Sequence, residues 1–379
     1  MRCQKEQCEP SPVPPPVAGR AGASSNGGNA LNTITYLDHA ASAPILPQAR
    51  DALLRGMTLN ANPSSPHAPG RAARAALEQA RADVADALGW QGEIVFTSGA
   101  SEALSIGLHR SHATRRIVSQ VEHDAVTRHA TGAARIPVGV AGMIAPGDLP
   151  DATDALVAIQ QVNNETGVIQ PLDALGDAIR AGGGLLLADC SQGAGKIPMP
   201  AADMAVVSAH KFGGPTGIGA LLLRDFGMIA PDGGQERGYR GGTENVPGAM
   251  AMAAALQAGH GWMEEALRLR SRLENAIIDA GGEVVADRSP RIATIGSYRL
   301  PGVAAAVQLI RLDSAGIAVS AGSACSSGSL RTSHVLSAMG MDDKSAGEVI
   351  RVSIGPDTRE ADIDRFLDVW GDIARRRRP

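Results

Sequence analysis

From residue 36 onward, short aliphatic runs alternate with segments whose apolar residues recur every three or four positions. Residues 70–89 carry Ala73, Leu77, Ala80, Val84 and Leu88 at helical spacing and close on a glycine suited to a C-cap. The next stretch, "EIVFTSGASEAL", reads as a strand at residues 94–97, a glycine turn and then a helix. Further strands are expected at residues 116–119, 155–162, 184–188, 204–208 and 220–223, with a helix at 172–181. Strands separated by helix-length segments imply a mainly parallel sheet with helices on both faces, hence an α/β protein. Residues 250–280 read as one long helical stretch in which Gly259 and Gly261 mark a bend. Shorter, mixed elements follow it down to a C-terminal helix near residues 362–375, so a second, smaller domain is expected to begin on the long helix.

Residues 1–30 differ in kind. They contain "EPSPVPPPVAGRAGASSNGGN", which has no hydrophobic period and too little apolar surface to offset its ordering entropy, and they are expected to form a disordered extension. The segment lacks an apolar core for a secretory signal, and Glu6 and Glu9 argue against an organellar transit peptide. Along the whole chain no apolar run approaches the roughly 20 residues that span a bilayer. A formal net charge of -4 gives no electrostatic reason for nucleic acid or an anionic membrane to be the main partner. The four cysteines, Cys3, Cys8, Cys190 and Cys325, are too scattered for a disulfide framework, which points to a reducing, cytoplasmic setting. Cys3 and Cys8 have no His or further Cys near them in sequence and read as two thiols in a mobile tail.

Several stretches carry chemistry. Residues 97–103, "TSGASEA", leave a strand through a glycine turn into a helix, where free N–H groups and the positive end of the helix dipole suit a phosphate. In "LLLADCSQGAGK", Asp189 ends an apolar run and would point into the crevice at the carboxyl end of a parallel strand, or else cap a helix. Lys211 follows another apolar strand in "AVVSAHKFGGPTGIGALLL" and emerges at the same rim. A phosphate cradle, an acid for a pyridinium nitrogen and an amine for an aldehyde are together what Schiff-base chemistry with pyridoxal phosphate requires. Cys325 stands in "SAGSACSSGS", whose small residues have no bulk for a core and form no apolar period. Such a segment has every reason to bend. Cys190, directly after Asp189, reads as a buried structural thiol.

The blocks "YLDHAASAP", "NPSSPHAPGR", "IVFTSGASEA", "VEHDAV", "VNNETGVIQPL", "ADCSQGAGK", "SAHKFGGPTGIGALL", "QERGYRGGTENVPG", "SAGSACSSGS" and "IRVSIG" occur in one order from Tyr36 to the C-terminal helix. In that order the sequence resembles the cysteine desulfurases of the NifS/IscS type, within the class V aminotransferases that use pyridoxal 5'-phosphate. The resemblance implies the fold type I of pyridoxal phosphate-dependent transferases: a large domain at residues 47–262 with a mainly parallel seven-stranded sheet between helices, and a smaller α/β domain of residues 31–46 and 263–379 that carries the cysteine loop. It further implies that Lys211 forms the Schiff base, Asp189 pairs with the pyridine nitrogen, and His123 stacks on the ring and moves protons. Asn164 and Gln192 would reach the phenolic oxygen, and Ala100, Ser101, Ser208 and His210 would hold the phosphate, joined by Thr243 from the other subunit of a homodimer. Arg351 would clamp the substrate carboxylate, with Asn164 beside it.

On the same resemblance Cys325 would take the sulfur of L-cysteine as a persulfide, release L-alanine, and pass the sulfur to an iron-sulfur scaffold or a tRNA-thiolation carrier. No resident metal is implied, only a transient contact of Cys325 with an iron-sulfur cluster during transfer, and neither DNA nor membrane is an implied partner. His39, Ser42 and Thr216 depart from the residues usual at their places, which are Asn or Tyr, Thr, and Lys or Arg. Two other readings stay open on the sequence: a different class V enzyme, such as a selenocysteine lyase or aminotransferase, and a non-catalytic paralogue. The joint presence of Lys211, Asp189, Arg351 and Cys325 argues against the last.

Overall fold

The computed structural model describes residues 34–321 and 332–376. The extension expected at residues 1–30, with Cys3 and Cys8, and the Cys325 loop lie outside the described residues. A short strand, β1 (Thr35–Tyr36), precedes α1 (Pro47–Met57) and α2 (Ala68–Leu88). Seven strands then form one sheet: β2 (Glu93–Thr97), β3 (Arg115–Ser119), β4 (Ala134–Ile136), β5 (Ala155–Gln160), β6 (Leu185–Asp189), β7 (Met204–Ser208) and β8 (Gly219–Leu223). Their order is β2-β8-β7-β6-β5-β3-β4, and β8 alone runs against the others.

The connections contain α3 (Ala100–Arg110), α4 (Asp124–Thr127) and α5 (Leu172–Ala181). Beyond the sheet come α6 (Val246–Gln257), α7 (Met263–Asp279), β9 (Glu283–Val284), β10 (Ile295–Arg299), α8 (Ala305–Ser314) and β11 (Ile317–Ala318). The last elements are α9 (His334–Ala338), α10 (Asp343–Ala346), β12 (Val349–Ser353) and α11 (Glu360–Arg375). In this C-terminal part β12, β10 and β9 form an antiparallel three-stranded sheet, and β11 pairs in parallel with β1.

Successive residues of the large sheet enter different cores. Ile94, Leu186 and Val207 pack on one face with α2, α5 and α6, while Val95, Leu187 and Val206 pack on the other with α3. Both faces are covered, which is why these strands are continuous apolar runs. Helix α2 buries Ala73, Leu77, Ala80, Val84 and Leu88, and Gly89 ends it in the left-handed conformation at φ 64°, as a glycine C-cap should. The long helix expected over residues 250–280 is two helices, α6 and α7, separated by the segment that holds Gly259 and Gly261. Helix α6 is apolar nearly all round because α1 and α2 cover it. A third core, between the C-terminal sheet and α7, α8 and α11, holds Leu273, Tyr298, Ile350, Phe366 and Trp370.

Strand β2 is an edge of the large sheet, and an ion pair takes the place of a neighbouring strand. Arg81 Nη1 donates to the Ile94 carbonyl at 2.6 Å, and the Phe96 N–H donates to Glu236 Oε2 at 2.9 Å. Arg81 and Glu236 are buried and joined at 2.8 and 3.2 Å. The Ile94 carbonyl and the Phe96 N–H are thus taken and cannot recruit another chain. Removing one partner leaves a buried charge and an unpaired edge amide, so Glu236→Ala should cost about 3–5 kcal/mol in urea unfolding. A loss under 1 kcal/mol would show the pair to be dispensable.

Candidate active site

The carboxyl ends of the parallel strands converge on a cavity of about 350 Å³. Ser98 to Ser101 follow β2, His123 follows β3, Gln160 and Asn164 belong to the end of β5, and Asp189 and Gln192 to the end of β6. Ser208, His210 and Lys211 come from the end of β7, and Thr216 and Gly217 lead into β8. Every side chain expected to hold cofactor, except Thr243, lines this one cavity. Thr243 lines separate surface pockets of the single chain, with Glu244 and Asn245 in one and Met57 and Asn60 in the other.

The turn from β2 into α3 depends on a close backbone approach. Gly99 has φ 153°, and a Cβ on Gly219 of β8 would come within 2.7 Å of its Cα. Helix α3 starts at Ala100 without a side-chain cap, so its first N–H groups face the cavity. Asp189 accepts from the Ser191 amide at 3.0 Å and the Ser191 hydroxyl at 2.6 Å, both on Oδ1. Gln192 donates to the Ala40 carbonyl at 2.8 Å and leaves its buried Oε1 without a partner. Lys211 Nζ donates to the carbonyls of Ala40 and Ala41, both at 2.8 Å.

Burial decides the charge state of the neighbours. It lowers the pKa of His123, an effect that the Asp189 carboxylate opposes and the Lys211 ammonium reinforces. His123 Nδ1 caps α4 by accepting the Ala125 N–H at 3.1 Å, so the neutral ring carries its proton on Nε2. His210 is driven down to about 4 by burial, then by Lys211 and Lys196. Glu122, which nothing in the sequence singled out, is fully buried beside His123. Burial pushes it up to about 8 against hydrogen bonds from Ser119 and the Gln160 amide. Cys190 is buried and its thiol is pushed well up by burial and Asp189, as a structural cysteine would be.

Arg351 is 1% exposed and does not line the cavity. Its Nη1 donates to the Asn164 carbonyl at 2.9 Å and its Nη2 to Asp38 at 2.7 Å, while Nε has no partner. Its backbone bridges Ser320, one residue-pair before the undescribed loop. On the far side of that loop, Ser333 donates to Glu165 at 2.5 Å and His334 Nε2 lies 2.9 Å from the Glu122 carbonyl. One described end of the loop is therefore tied to β12 and the other to the segments that follow β3 and β5.

An amine, a carboxylate and an uncapped helix terminus on one rim fit a phosphorylated aldehyde with a basic ring. The comparisons with known proteins agree. The aminotransferase class-V family model matches residues 35–366. An IscS-like cysteine desulfurase of Mycobacterium tuberculosis (strain ATCC 25618 / H37Rv) is 35% identical, the alignment covering 91% of this chain and 98% of that protein. A cysteine desulfurase of Cereibacter sphaeroides is 36% identical over 88% of this chain and 94% of its own length. The solved structure of a NifS-like protein from Rickettsia africae ESF-5 superposes with a TM-score of 0.82 at 29% identity, covering 90% of this chain and 99% of that one. The chain belongs to the aminotransferase class-V family, among its cysteine desulfurases. Its mainly parallel seven-stranded sheet and flanking helices are those of fold type I.

Glu122 makes stability depend on pH. In the unfolded chain it ionises near 4.5, and in the fold near 8, so the folded state holds the extra proton between those values. The contribution is complete below 4.5 and is lost as pH rises through 8, at up to about 1.4 kcal/mol per pH unit inside the window. Glu122→Gln, which cannot ionise, should flatten the decline of the urea midpoint between pH 6 and 8.5. An unchanged pH profile would refute the buried, protonated carboxyl.

Proposed function

We propose that this chain is a pyridoxal phosphate-dependent cysteine desulfurase that turns L-cysteine into L-alanine and carries the sulfur away as a persulfide on Cys325. The observation that supports it most is the meeting of Lys211, Asp189, His123 and the α3 N-terminus around a single cavity at the strand ends. The cofactor, when bound, supplies an aldehyde for amine condensation and a ring that withdraws electrons from the substrate. Lys211 would hold that aldehyde, and the α3 amides with the hydroxyls of Ser101 and Ser208 would hold the phosphate. The Asp189 carboxylate would keep a proton on the ring nitrogen, its position fixed by Ser191. Asn164 and Gln192 stand on the same wall to serve the phenolic oxygen.

His123, held neutral by burial, has its Nε2 proton to give and can take one back, which suits it to move protons at the substrate carbons. Arg351 would take the substrate carboxylate. Cys325, as thiolate, attacks the substrate sulfur. The new S–S bond forms as the Cβ–S bond breaks, and the electron pair stays with carbon, which gains a proton to become alanine. Reaction in a reducing, cytoplasmic compartment would leave the persulfide free for an acceptor protein, either an iron-sulfur scaffold or a tRNA-thiolation carrier. Thr243 would complete the phosphate site from the partner subunit of a homodimer, in keeping with its distance from the cavity of its own chain.

Two sets of measurements test this reading. Purified protein should show the visible absorbance of a lysine-bound pyridoxal, lost in Lys211→Ala, and mass spectrometry after L-cysteine should find an added sulfur on Cys325. Cys325→Ala should keep the absorbance and its response to cysteine yet form no persulfide and release no sulfide, whereas continued sulfide release would remove the persulfide route. Arg351→Lys gives up a two-pronged charged contact worth about 1.5–3 kcal/mol, so KM for cysteine should rise by roughly ten- to a hundredfold. An unchanged KM would take Arg351 out of substrate binding.

A further inference from the structure

Lys211 also lines a second cavity, of about 150 Å³. Its walls are mostly apolar, with Leu46, Phe212, Ala255, Trp262 and Ile354 among them, and Lys196 and His39 line it besides Lys211. Lys196 ends the "ADCSQGAGK" block on the turns after β6 and is 8% exposed. No carboxylate among the described residues pairs with its ammonium, and no hydrogen bond from its amine is seen there. His39 is equally buried. Its ring meets Tyr36 edge to face at 5.1 Å and lies against Gly355, where a Cβ would come within 2.0 Å of it. The His39 Nδ1 atom is buried and has no partner.

A largely buried ammonium without an acceptor, beside a small cavity, is an expensive arrangement unless something completes it. We propose that this cavity binds a small monoanion, with Lys196 supplying the balancing charge. The size admits a one- or two-carbon carboxylate or an inorganic anion of similar bulk. A zwitterionic amino acid is disfavoured, because its ammonium would face both Lys196 and Lys211 across a low-dielectric space. The occupant would also lie against the active-site lysine, so its binding and the charge on Lys211 are linked.

The site should respond to pH in a defined direction. Burial, with help from Lys211, brings Lys196 down to about 7. His39 falls to about 4 through burial and then Lys196, with a hydrogen bond to the Tyr36 backbone and then Asp357 opposing, and His210 falls to about 4 through burial, Lys211 and Lys196. Around neutrality both histidines are therefore uncharged, and Lys196 is the group that titrates. Anion affinity should be highest below pH 7 and should weaken as Lys196 gives up its proton.

Formate is the probe, titrated by calorimetry into the purified full chain at constant ionic strength, with bromide as the inorganic counterpart. One saturable site per chain is expected at pH 6, about tenfold weaker at pH 8. Lys196→Met should abolish it. Bromide that displaces formate, and that appears beside Lys196 by anomalous scattering in a crystal, would assign the site to monoanions at large. Formate binding without bromide competition would assign it to carboxylates. The proposal fails if formate does not saturate, because the cavity then holds water only. It also fails if the isotherm survives in Lys196→Met, which would place formate elsewhere, for instance on Arg351. Should Lys196→Met not fold, equal affinity at pH 6 and 8 in the natural protein would suffice to overturn it.

Discussion

Everything at the candidate site leans on one strap of backbone, residues 36–46, which is bonded to both sheet systems at once. Toward the C-terminal sheets, Leu37 and Ala40 bond to Ser353, and β1 pairs with β11. Toward the large sheet, the Ala43 amide bonds to the His210 carbonyl and the Leu46 amide to that of Gly213. Between these anchors the carbonyls of Ala40 and Ala41 receive the Lys211 ammonium, and Ala40 receives Gln192 as well. An ammonium at the end of a four-carbon stem has little orientation of its own, and two fixed acceptors supply it. The Lys211 amine is thereby positioned by chain that lies far from it in sequence.

The second organising effect is desolvation. The apolar strands that build a robust sheet also strip water from whatever sits at their ends, and this acts with opposite sign on acids and bases. It keeps Glu122 protonated and His123 and His210 neutral, so the charged side chains lining the cavity are few: Lys211, Asp189 and Glu102. A site with few charges lets each one count, since the field of one carboxylate is not averaged away by neighbours. The same desolvation reaches Lys196 through the other side of the strap, which makes the two cavities electrostatic neighbours across Lys211.

Much of this was legible in the sequence because strands buried on both faces have to be written as apolar runs, and helix ends as glycines. The runs "LLLAD" and "MAVVS" sit where they were expected to within a residue, and Gly89 caps α2 as read. Lys211 and Asp189 were legible for the same reason, since a polar residue that ends such a run has only the rim to occupy. An apolar run carries no direction, however, and nothing in "GALLL" told that β8 runs against its neighbours. The break between α6 and α7 was read as a bend because two glycines weaken a helix without fixing how far it opens. The perturbed states of Glu122, His39 and Lys196 could not be read at all. Each depends on which remote segments exclude water from it, and the "VEHDAV" and "ADCSQGAGK" blocks are silent about that.

Arg351 shows how a residue can be foreseen in kind and still surprise in place. Its guanidinium is sealed from the cavity and paired with Asp38, 313 positions away in sequence, while the Asn164 carbonyl takes a second donor and Nε has none. A buried guanidinium without an anion would be costly, and Asp38 removes that cost. On the proposed function, the substrate carboxylate would meet an arginine already holding a carboxylate of the same geometry. Binding would then exchange one charged pair for another instead of creating one, and its net strength would depend on the difference between the two. Because Asp38 sits on the strap and Ser320 bridges Arg351 at the start of the cysteine loop, that exchange would act on segments that already touch the lysine and flank the thiol.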